Sequence, residues 1–289
     1  MNKISFIILH YMAIEDTIEC VESILKFSYS DKYELSIIIV DNASPDDSYG
    51  VLKEKYENNE YIILIKNEKN LGFAKGNNIG YQFAKNNLKS DYIILINNDT
   101  YIKQMDFCEK LILDYQNTKF DIAGPNIISL KSDNVNQNPM KYEPMTIERI
   151  NKIIFRYKVQ RIACYFNCDK FVNKIRRKHK NEKESNEKKD YKLHGSCLIF
   201  SKNYIDKYDG LYPNTFMYAE EDILKYISIR DNLKMIFLDN LTIYHKEDAS
   251  TDVVFNKAKK KRLFYYRWSI DSLMKLKKLM ISDKGKENT

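Results

Sequence analysis

The fold of this chain is decided by the stretch Asp91-Tyr92-Ile93-Ile94-Leu95-Ile96-Asn97-Asn98-Asp99-Thr100. Its apolar part, residues 92–96, shows no alternation with polar residues, which is typical of a strand buried on both faces. Oxygen-bearing side chains follow at once, at positions 97–100. In an open α/β sheet, ligands bind outside the carboxyl ends of the strands. The stretch therefore predicts a central strand that ends either in a ligand site or, as the alternative, in an Asx-rich turn.

The end of this strand offers ligands for a hard cation. Asp99 is a carboxylate, and it follows the amide side chains of Asn97 and Asn98. Carboxylate and amide oxygens suit Mg²⁺ or Mn²⁺, and such cations often carry a diphosphate. A diphosphate-bound cation at Asp99 is therefore the hypothesis that competes with a simple turn.

Similar apolar runs recur before this stretch, with helical patterns between them. Buried strands are predicted at 4–9, 35–40, 61–66 and 92–96. Helices are predicted at 15–27, 44–56 and 70–86. This alternation predicts an α/β fold with a doubly wound, mostly parallel sheet. Further on, we expect helices at 105–115, 216–230 and 257–280, and strands at 121–129, 234–238 and 241–244.

Positive charge is concentrated in two blocks, although the net charge is only +7. Residues 149–180 hold eleven Lys or Arg against one acid, and residues 257–286 hold eleven against two. Together the blocks carry +19, which leaves −12 for the rest of the chain. Residues 150–175 have the spacing of one or two basic amphipathic helices, and the run 178–189 that of a solvated loop or disordered link. Such localised charge predicts a partner surface, or else solvated helix faces.

Cysteine usage and hydropathy predict a cytoplasmic protein. The five cysteines are odd in number and contain no C-x-x-C pair, which fits a reducing compartment. No run reaches the roughly 18 apolar residues of a membrane span. The first apolar run, residues 4–9, is too short for a signal peptide and is predicted to be a strand.

Two further positions suggest nucleotide binding, each with a structural alternative. Asp41 ends a predicted strand, where its carboxylate can either bind a base or cap a turn. The glycines at 72, 76 and 80 either allow close helix packing or let the backbone approach a phosphate, with Lys75 adding charge. No G-x-G-x-x-G follows a strand, and no G-x-x-x-x-G-K-[ST] occurs. A dinucleotide-binding Rossmann site is therefore disfavoured and a P-loop is excluded.

The second half of the chain offers candidate acid–base groups. Glu220, Glu221 and Asp222 open a predicted helix, where carboxylates either interact with the helix dipole or supply a general base with a raised pKa. His245 ends a predicted strand. It is either a structural residue or a ligand of a metal or a phosphate.

In their order and spacing, these pieces resemble the family 2 glycosyltransferases, which are inverting enzymes with a GT-A fold. The resemblance covers residues 3–130 and 191–268, and rests on the segments 5–11, 39–44, 70–78, 95–99 and 216–221 with His245. It implies a GT-A-like fold with a basic helical insertion and a C-terminal amphipathic helix. It also implies a hexosyltransferase that transfers a sugar from a nucleotide-diphosphate donor to a hydroxyl of a bacterial surface glycan, such as a capsule.

The resemblance also implies roles for individual residues. Glu221 would be the catalytic base, with Glu220 and Asp222 as the alternatives. Asp99 would be the main ligand of a divalent cation, Mg²⁺ or Mn²⁺, because only the last position of the usual D-x-D motif is acidic here. Asn97 and His245 would complete the metal site. The residues implied to contact the donor nucleotide are His10, Tyr11, Asp41, Asn42, Asn70, Gly72, Lys75, Asn77 and Asn98. Met12 departs from the Asn common in the family.

These inferences divide the chain into a nucleotide-sugar half (1–130), a basic insertion (131–192), an acceptor and catalytic half (193–255) and a basic helix with a tail (256–289). The basic blocks are expected to lie on the anionic inner face of the plasma membrane, where lipid-linked glycan acceptors are anchored. No nucleic-acid partner is expected. Two rival functions are a sugar-1-phosphate nucleotidyltransferase, which would need a Gly-rich loop after the first strand, and a nonenzymatic nucleic-acid-binding protein.

Overall fold

The structure is a computed structural model that describes residues 1–28, 30–167, 190–247 and 258–287. Its strands are β1 (Asn2–His10), β2 (Tyr33–Asp41), β3 (Ile62–Lys66), β4 (Tyr92–Asn97), β5 (Thr100–Tyr101), β6 (Ile122–Ser129), β7 (Met140–Lys141), β8 (Tyr191–Lys192), β9 (Cys197–Ser201) and β10 (Met235–His245). Its helices are α1 (Ile14–Leu25), α2 (Ser48–Tyr56), α3 (Phe73–Phe83), α4 (Phe107–Thr118), α5 (Ile147–Tyr165), α6 (Lys202–Ile205), α7 (Glu220–Arg230) and α8 (Ala258–Glu287).

The large sheet has the order β3-β2-β1-β4-β9-β6-β10-β5. Strands β1 to β4 are parallel, and β6 is parallel to β10. Strand β9 is antiparallel to both β4 and β6, and β5 is antiparallel to β10. The predicted α/β architecture with a mostly parallel sheet is confirmed. Because β9 lies between β4 and β6, the two predicted halves of the chain share one sheet.

The apolar strands are buried because helices cover both faces of the sheet. On β1, Phe6 and Ile8 face a core with α1 and α4, whereas Ile7 faces a second core with α3 and α7. Such two-sided burial explains why the central strands lack the alternation of a half-exposed sheet. Strands β1, β2, β4, β6 and β10 run in the same direction, so their carboxyl ends lie at one edge of the sheet.

Several element boundaries differ from the predicted ones. Strand β10 is continuous across the two predicted runs, with an irregularity in its pairing between Leu238 and Thr242. Helix α7 begins at Glu220 and not at 216, because Tyr218 and Ala219 have positive φ angles of 71° and 67°. Helix α5 ends at Tyr165, and the rest of the predicted helical region beyond residue 167, like the charge run 178–189, lies outside the described residues.

Helices α5 and α8 form a layer beside the sheet. The short strands β7 and β8 pair with each other before and after the segment that contains α5. Tyr157 on α5 contacts Tyr265 and Tyr266 on α8, with the Tyr157 and Tyr265 hydroxyls 2.9 Å apart. Within the parts of the chain that the structure describes, no helix combines the length and the apolar character needed to cross a membrane.

The three glycines near α3 serve close packing, but in two different ways. A Cβ on Gly76 would lie 2.6 Å from Leu9 Cδ1, and one on Gly80 would lie 2.5 Å from Ile7 Cγ2, so both let α3 approach β1. Gly72 precedes the helix with φ +80°, and a Cβ there would lie 2.2 Å from the backbone oxygen of Phe216. Gly76 and Gly80 therefore serve close packing of the helix on the sheet and not an approach to phosphate. Gly72 instead lets the loop before α3 contact the backbone at residue 216.

We expect Gly72→Ala to lower the free energy of unfolding by about 2 kcal/mol or more, because it adds strain at positive φ and a clash with backbone. The matched control is Gly285→Ala on α8, where an added Cβ meets no described atom within 4 Å. That change should be neutral or stabilising by up to about 1 kcal/mol. Urea unfolding of both variants tests this, and equal stabilities would contradict it.

Candidate active site

A cavity of about 820 Å³ opens at the edge of the sheet where the parallel strands end. Asp99, just beyond β4, and Glu221, in the first turn of α7, both line it. His245 at the end of β10 lines it as well, as do Asn42 beyond β2 and Tyr11 beyond β1. Residues that are far apart in the sequence thus meet because their strands run in the same direction.

In the turn after β4, the side chains on either side of Asp99 are hydrogen-bonded within the protein. Asn98 Nδ2 donates to Thr17 Oγ1 at 3.0 Å, and Thr100 Oγ1 donates to the Asn97 carbonyl at 2.6 Å. Asp99 Oδ1, in contrast, is buried and accepts no hydrogen bond. A buried carboxylate oxygen without a donor is costly, so its place at a cavity wall indicates a site that a ligand completes.

His245 Nε2 lies 3.3 Å from this oxygen. Strand pairing brings the two together, because His245 lies opposite Thr100 in the β5–β10 ladder. The other ring nitrogen, Nδ1, lies 2.8 Å from Gln137 Oε1, an acceptor, and therefore carries a proton. In the neutral ring Nε2 then presents a lone pair, so two acceptors face each other. A cation near both atoms would resolve that conflict.

Asp99 and His245 fit a divalent cation only in part. Across the described residues, no group of three or more His, Cys, Asp or Glu is arranged to hold a metal ion. A carboxylate oxygen and an imidazole nitrogen with free lone pairs are nevertheless metal ligands, and the amide of Asn97 lines the same cavity. Mg²⁺ sites typically use one or two carboxylates and take further ligands from substrate phosphates and water. The donor set is therefore compatible with a cation that arrives with a diphosphate.

The three carboxylates that open α7 have different surroundings, although all line the cavity. Asp222 lies 2.6 Å from Lys192 Nζ and is held in an ion pair. Glu221 Oε1 accepts a hydrogen bond from the backbone N–H of Gly195 at 3.3 Å and stays partly exposed. Glu220 is 8% exposed, and its Oε1 has no hydrogen-bond partner. Glu221 therefore remains accessible, held by a single hydrogen bond, whereas Asp222 is engaged by a lysine.

Burial and the adjacent Glu221 carboxylate raise the pKa of Glu220 to about 7. Since this exceeds the value of an unfolded chain, the native state binds more protons than the unfolded state between about pH 4.5 and 7. Stability due to this group therefore falls as the pH rises through that window and is constant above it. Near neutral pH, Glu220 can hold a proton beside the Glu221 carboxylate.

We expect Glu220→Gln to remove this pH dependence. The difference in unfolding free energy between the variant and the unchanged protein should grow by about 2–3 kcal/mol from pH 5 to pH 8, in favour of the variant. The control is Glu54→Gln, which changes an exposed glutamate on α2. Parallel stability curves for the protein and its Glu220 variant, measured by urea unfolding, would show that Glu220 does not titrate in this range.

The loop between β3 and α3 is organised by Asn42. Its Oδ1 accepts from Asn67 Nδ2 at 3.2 Å and from the Leu71 N–H at 3.0 Å. Its Nδ2 donates to Asn70 Oδ1 at 3.1 Å and to the Gly72 carbonyl at 3.2 Å. Asn42, Asn70 and Gly72 thus line the cavity as one hydrogen-bonded unit.

Several residues that were predicted to contact the donor nucleotide do not line the cavity. His10 is fully buried, with Nδ1 2.7 Å from Thr17 Oγ1 and Nε2 2.8 Å from Ser48 Oγ, and burial lowers its pKa. Asp41 is 1% exposed and accepts from the Ser44 N–H at 3.3 Å. Asn77 donates to the Phe73 carbonyl, and Lys75 is exposed. His10 lies in the core with both ring nitrogens already engaged, so its contact with the donor nucleotide stays a prediction.

The cavity wall formed by helices α5 and α8 was not predictable from the sequence motifs. Tyr157 and Arg156 on α5, Tyr265 on α8 and Tyr218 line the cavity there. Arg156 Nε is buried without a hydrogen-bond partner, and Arg156 is the only Lys or Arg among the described lining residues. His194 also lines the cavity, and burial lowers its pKa. The helical spacing of 150–175 predicted the helix, but nothing in it showed which face meets the cavity.

Acidic groups and a histidine surround one cavity where the parallel strands end, which is the usual place of a ligand site in an open α/β sheet. The chain belongs to glycosyl transferase family 2, whose model matches residues 5–207. The family predicted from the sequence motifs is thereby confirmed.

Among curated proteins, a low-salt glycan biosynthesis hexosyltransferase, Agl10 of Haloferax volcanii, is 24% identical over 236 residues. The match covers 81% of this chain and 64% of that protein. The glycosyltransferase GlyG of Streptococcus pneumoniae serotype 4 is 28% identical over 123 residues, which are 43% of this chain and 38% of that protein. This chain thus spans less than two thirds of either relative.

Solved structures support the fold. S. aureus TarS 1-349 in complex with UDP-GlcNAc has a TM-score of 0.54 and 16% identity, covering 85% of this chain and 58% of that one. GalNAc-T7 with UDP, GalNAc and Mn²⁺ has a TM-score of 0.58 and 13% identity, covering 91% of this chain and 50% of that one. At such low identity the likeness concerns the fold alone.

Proposed function

We propose that this protein is a hexosyltransferase that transfers a sugar from a nucleotide-diphosphate donor to an acceptor hydroxyl, with inversion at the anomeric carbon. The observation that carries the proposal is that Asp99 and Glu221, from separate parts of the chain, line one cavity. Family membership and the hexosyltransferase relative support the same activity. A donor diphosphate at Asp99 and an acceptor at Glu221 would then meet in a single space.

In this proposal Glu221 is the general base. It accepts the proton of the acceptor hydroxyl as the oxygen attacks the anomeric carbon from the face opposite the leaving diphosphate. The Gly195 N–H orients its carboxylate. Burial raises the pKa of Glu220 to about 7, so this side chain is protonated in part near neutral pH and the negative charge beside Glu221 is reduced. Asp222 holds Lys192 and is assigned a positioning role.

Asp99 and His245, with Asn97 nearby, are the proposed metal ligands. The divalent cation would offset the charge of the departing diphosphate. Asn42, Asn70, Gly72 and Tyr11 line the same cavity and are proposed to contact the donor nucleotide. Asn98 is proposed to hold the turn through Thr17, and Asp41 to hold the Ser44 backbone next to the nucleotide site.

The finer assignments concern the acceptor and its location. We assign the acceptor to a growing surface glycan, such as a capsule, carried on a lipid. The enzyme would then act at the cytoplasmic face of the plasma membrane, as a peripheral protein. The aromatic wall of Tyr157, Tyr218 and Tyr265 supports a glycan acceptor, since sugar rings pack on aromatic faces through their apolar C–H surface.

The proposal is tested with a panel of nucleotide-diphosphate sugars in thermal-shift experiments, with and without Mg²⁺ or Mn²⁺. A ligand that binds only the native state raises the melting temperature by mass action. We expect at least one nucleotide sugar to stabilise the protein, and more strongly with the cation. The sugar-1-phosphate paired with the matching nucleoside triphosphate serves as the control. Stabilisation by no nucleotide sugar would overturn the proposal.

A further inference from the structure

An exposed apolar stripe runs along the outer face of α5. Phe155, Val159 and Ile162 are 70%, 41% and 58% exposed. Their spacing of four and three residues places them on one face of the helix. Single exposed apolar side chains are common on soluble proteins, but three in a row along one helix face indicate a binding surface.

The opposite face of the same helix packs against the protein and lines the cavity. Ile150, Ile154 and Cys164 are buried against the rest of the protein, and Ile153 and Tyr157 face the cavity. The stripe is therefore not the edge of an incompletely packed core. Helix α5 has two apolar faces, one that closes the cavity and one that is turned away from the protein.

Basic side chains border the stripe on both sides. With 3.6 residues per turn, Lys152 and Lys158 lie about 60° to either side of Phe155. Both are exposed. Lys152 Nζ also lies 2.6 Å from Glu148 Oε1, but this pair is well exposed and therefore weak in water. The helix itself, residues 147–165, holds five Lys or Arg against one acid, a net charge of +4.

We propose that the α5 stripe is the surface by which this protein lies on an anionic membrane, with Phe155 and Ile162 inserted at the level of the lipid headgroups. Apolar side chains flanked by lysines on a helix suit the interface between acyl chains and acidic headgroups. A second copy of the chain fits less well, because self-association through this face would bring the same lysines together.

If the proposed function is correct, contact between the α5 stripe and the membrane would bring the cavity to its acceptor. Since α5 also forms a wall of the cavity, binding through its outer face would hold the cavity next to the bilayer. A lipid-linked acceptor would then reach Glu221 without leaving the membrane. The stripe is thus a docking surface for the membrane, separate from the residues that bind the donor.

The test is flotation of the full chain with vesicles of phosphatidylcholine alone or mixed with phosphatidylglycerol. We expect binding to the anionic vesicles that weakens as salt is added. Phe155→Ser with Ile162→Ser should lower the partition coefficient about tenfold or more, because two apolar side chains no longer insert. The matched control is Leu113→Ser with Ile229→Ser, which removes side chains that are 55% and 54% exposed on α4 and α7. The control should bind like the unchanged protein.

A third variant separates charge from insertion. Lys152→Gln with Lys158→Gln should weaken binding to anionic vesicles and leave binding to neutral vesicles unchanged. Failure of the unchanged protein to bind anionic vesicles at low salt would overturn the inference. So would equal binding by the stripe variant, or a concentration-dependent dimer that only the stripe variant loses.

The inference and the proposed function fail separately. The stripe variant should keep the donor-dependent thermal shift, since neither Phe155 nor Ile162 lines the cavity. Donor binding without vesicle binding would remove the membrane surface alone. Vesicle binding without any donor effect would remove the glycosyltransferase proposal and leave the stripe as a membrane-binding surface.

Discussion

Glu221→Gln should lower kcat for sugar transfer by about a thousandfold, because general bases typically contribute 10²–10⁴-fold to the rate. The amide keeps the size of the side chain but cannot accept the hydroxyl proton. The dissociation constant of the donor, measured by calorimetry, should change by no more than about twofold, since the lost interaction is made in the transition state. Glu221 would be removed from the role of base if the variant turned over at an undiminished rate.

Neighbouring carboxylates provide the controls for Glu221. Glu220→Gln and Asp222→Asn make the same chemical change one residue to either side. If either lowered kcat more than Glu221→Gln, the base would have to be reassigned. Glu221→Asp should retain part of the activity, because a carboxylate remains but is displaced by about one methylene. A purely structural role would not distinguish the acid from the amide at position 221.

Asp99→Asn should weaken metal-dependent donor binding and lower kcat/KM by about a hundredfold or more, since a cation at the diphosphate supplies several kcal/mol of transition-state stabilisation. The variant stays nearly isosteric and removes only the charge. Without added cation, its affinity for the donor should match that of the unchanged protein. The readout is donor titration at several Mn²⁺ concentrations.

A change in the opposite direction provides a matched test. Asn97→Asp places a second carboxylate at the end of β4 and restores the acid–x–acid pattern. Because carboxylates bind divalent cations more strongly than amides, half-maximal donor binding should require less Mn²⁺. An effect of Asp99→Asn on acceptor affinity alone, with no change in metal dependence, would contradict the assignment of Asp99.

The sequence predicted the sheet and the family because those signals are local and repeated. Uninterrupted apolar runs that end in polar residues identify central parallel strands, as the stretch 91–100 does. The antiparallel β9 was not predicted, because direction within a sheet depends on pairing partners far away in the chain. The predicted start of helix α7 at residue 216 lies four residues too early, because the helical spacing does not show the positive φ angles of Tyr218 and Ala219.

The sequence identified candidate site residues, but it does not show which other side chains each of them contacts in the fold. Asp99 and His245 were each candidates, but their 3.3 Å approach follows from the β5–β10 pairing, which two residues of β5 do not reveal. His10 had the position of a ligand contact, yet Thr17 and Ser48 occupy its ring nitrogens. The basic block around α5 was visible in the sequence. Which of its faces turns outward is decided by packing against α8.

The central claim is that one cavity holds both the donor diphosphate at Asp99 and the acceptor hydroxyl at Glu221. A crystal structure with a nucleotide-diphosphate sugar and Mn²⁺ tests it most directly, because manganese is located by its anomalous scattering. We predict manganese next to Asp99 and His245, with the anomeric carbon facing Glu221 inside the cavity. Manganese and nucleotide bound outside this cavity, or a sugar turned away from Glu221, would contradict the account.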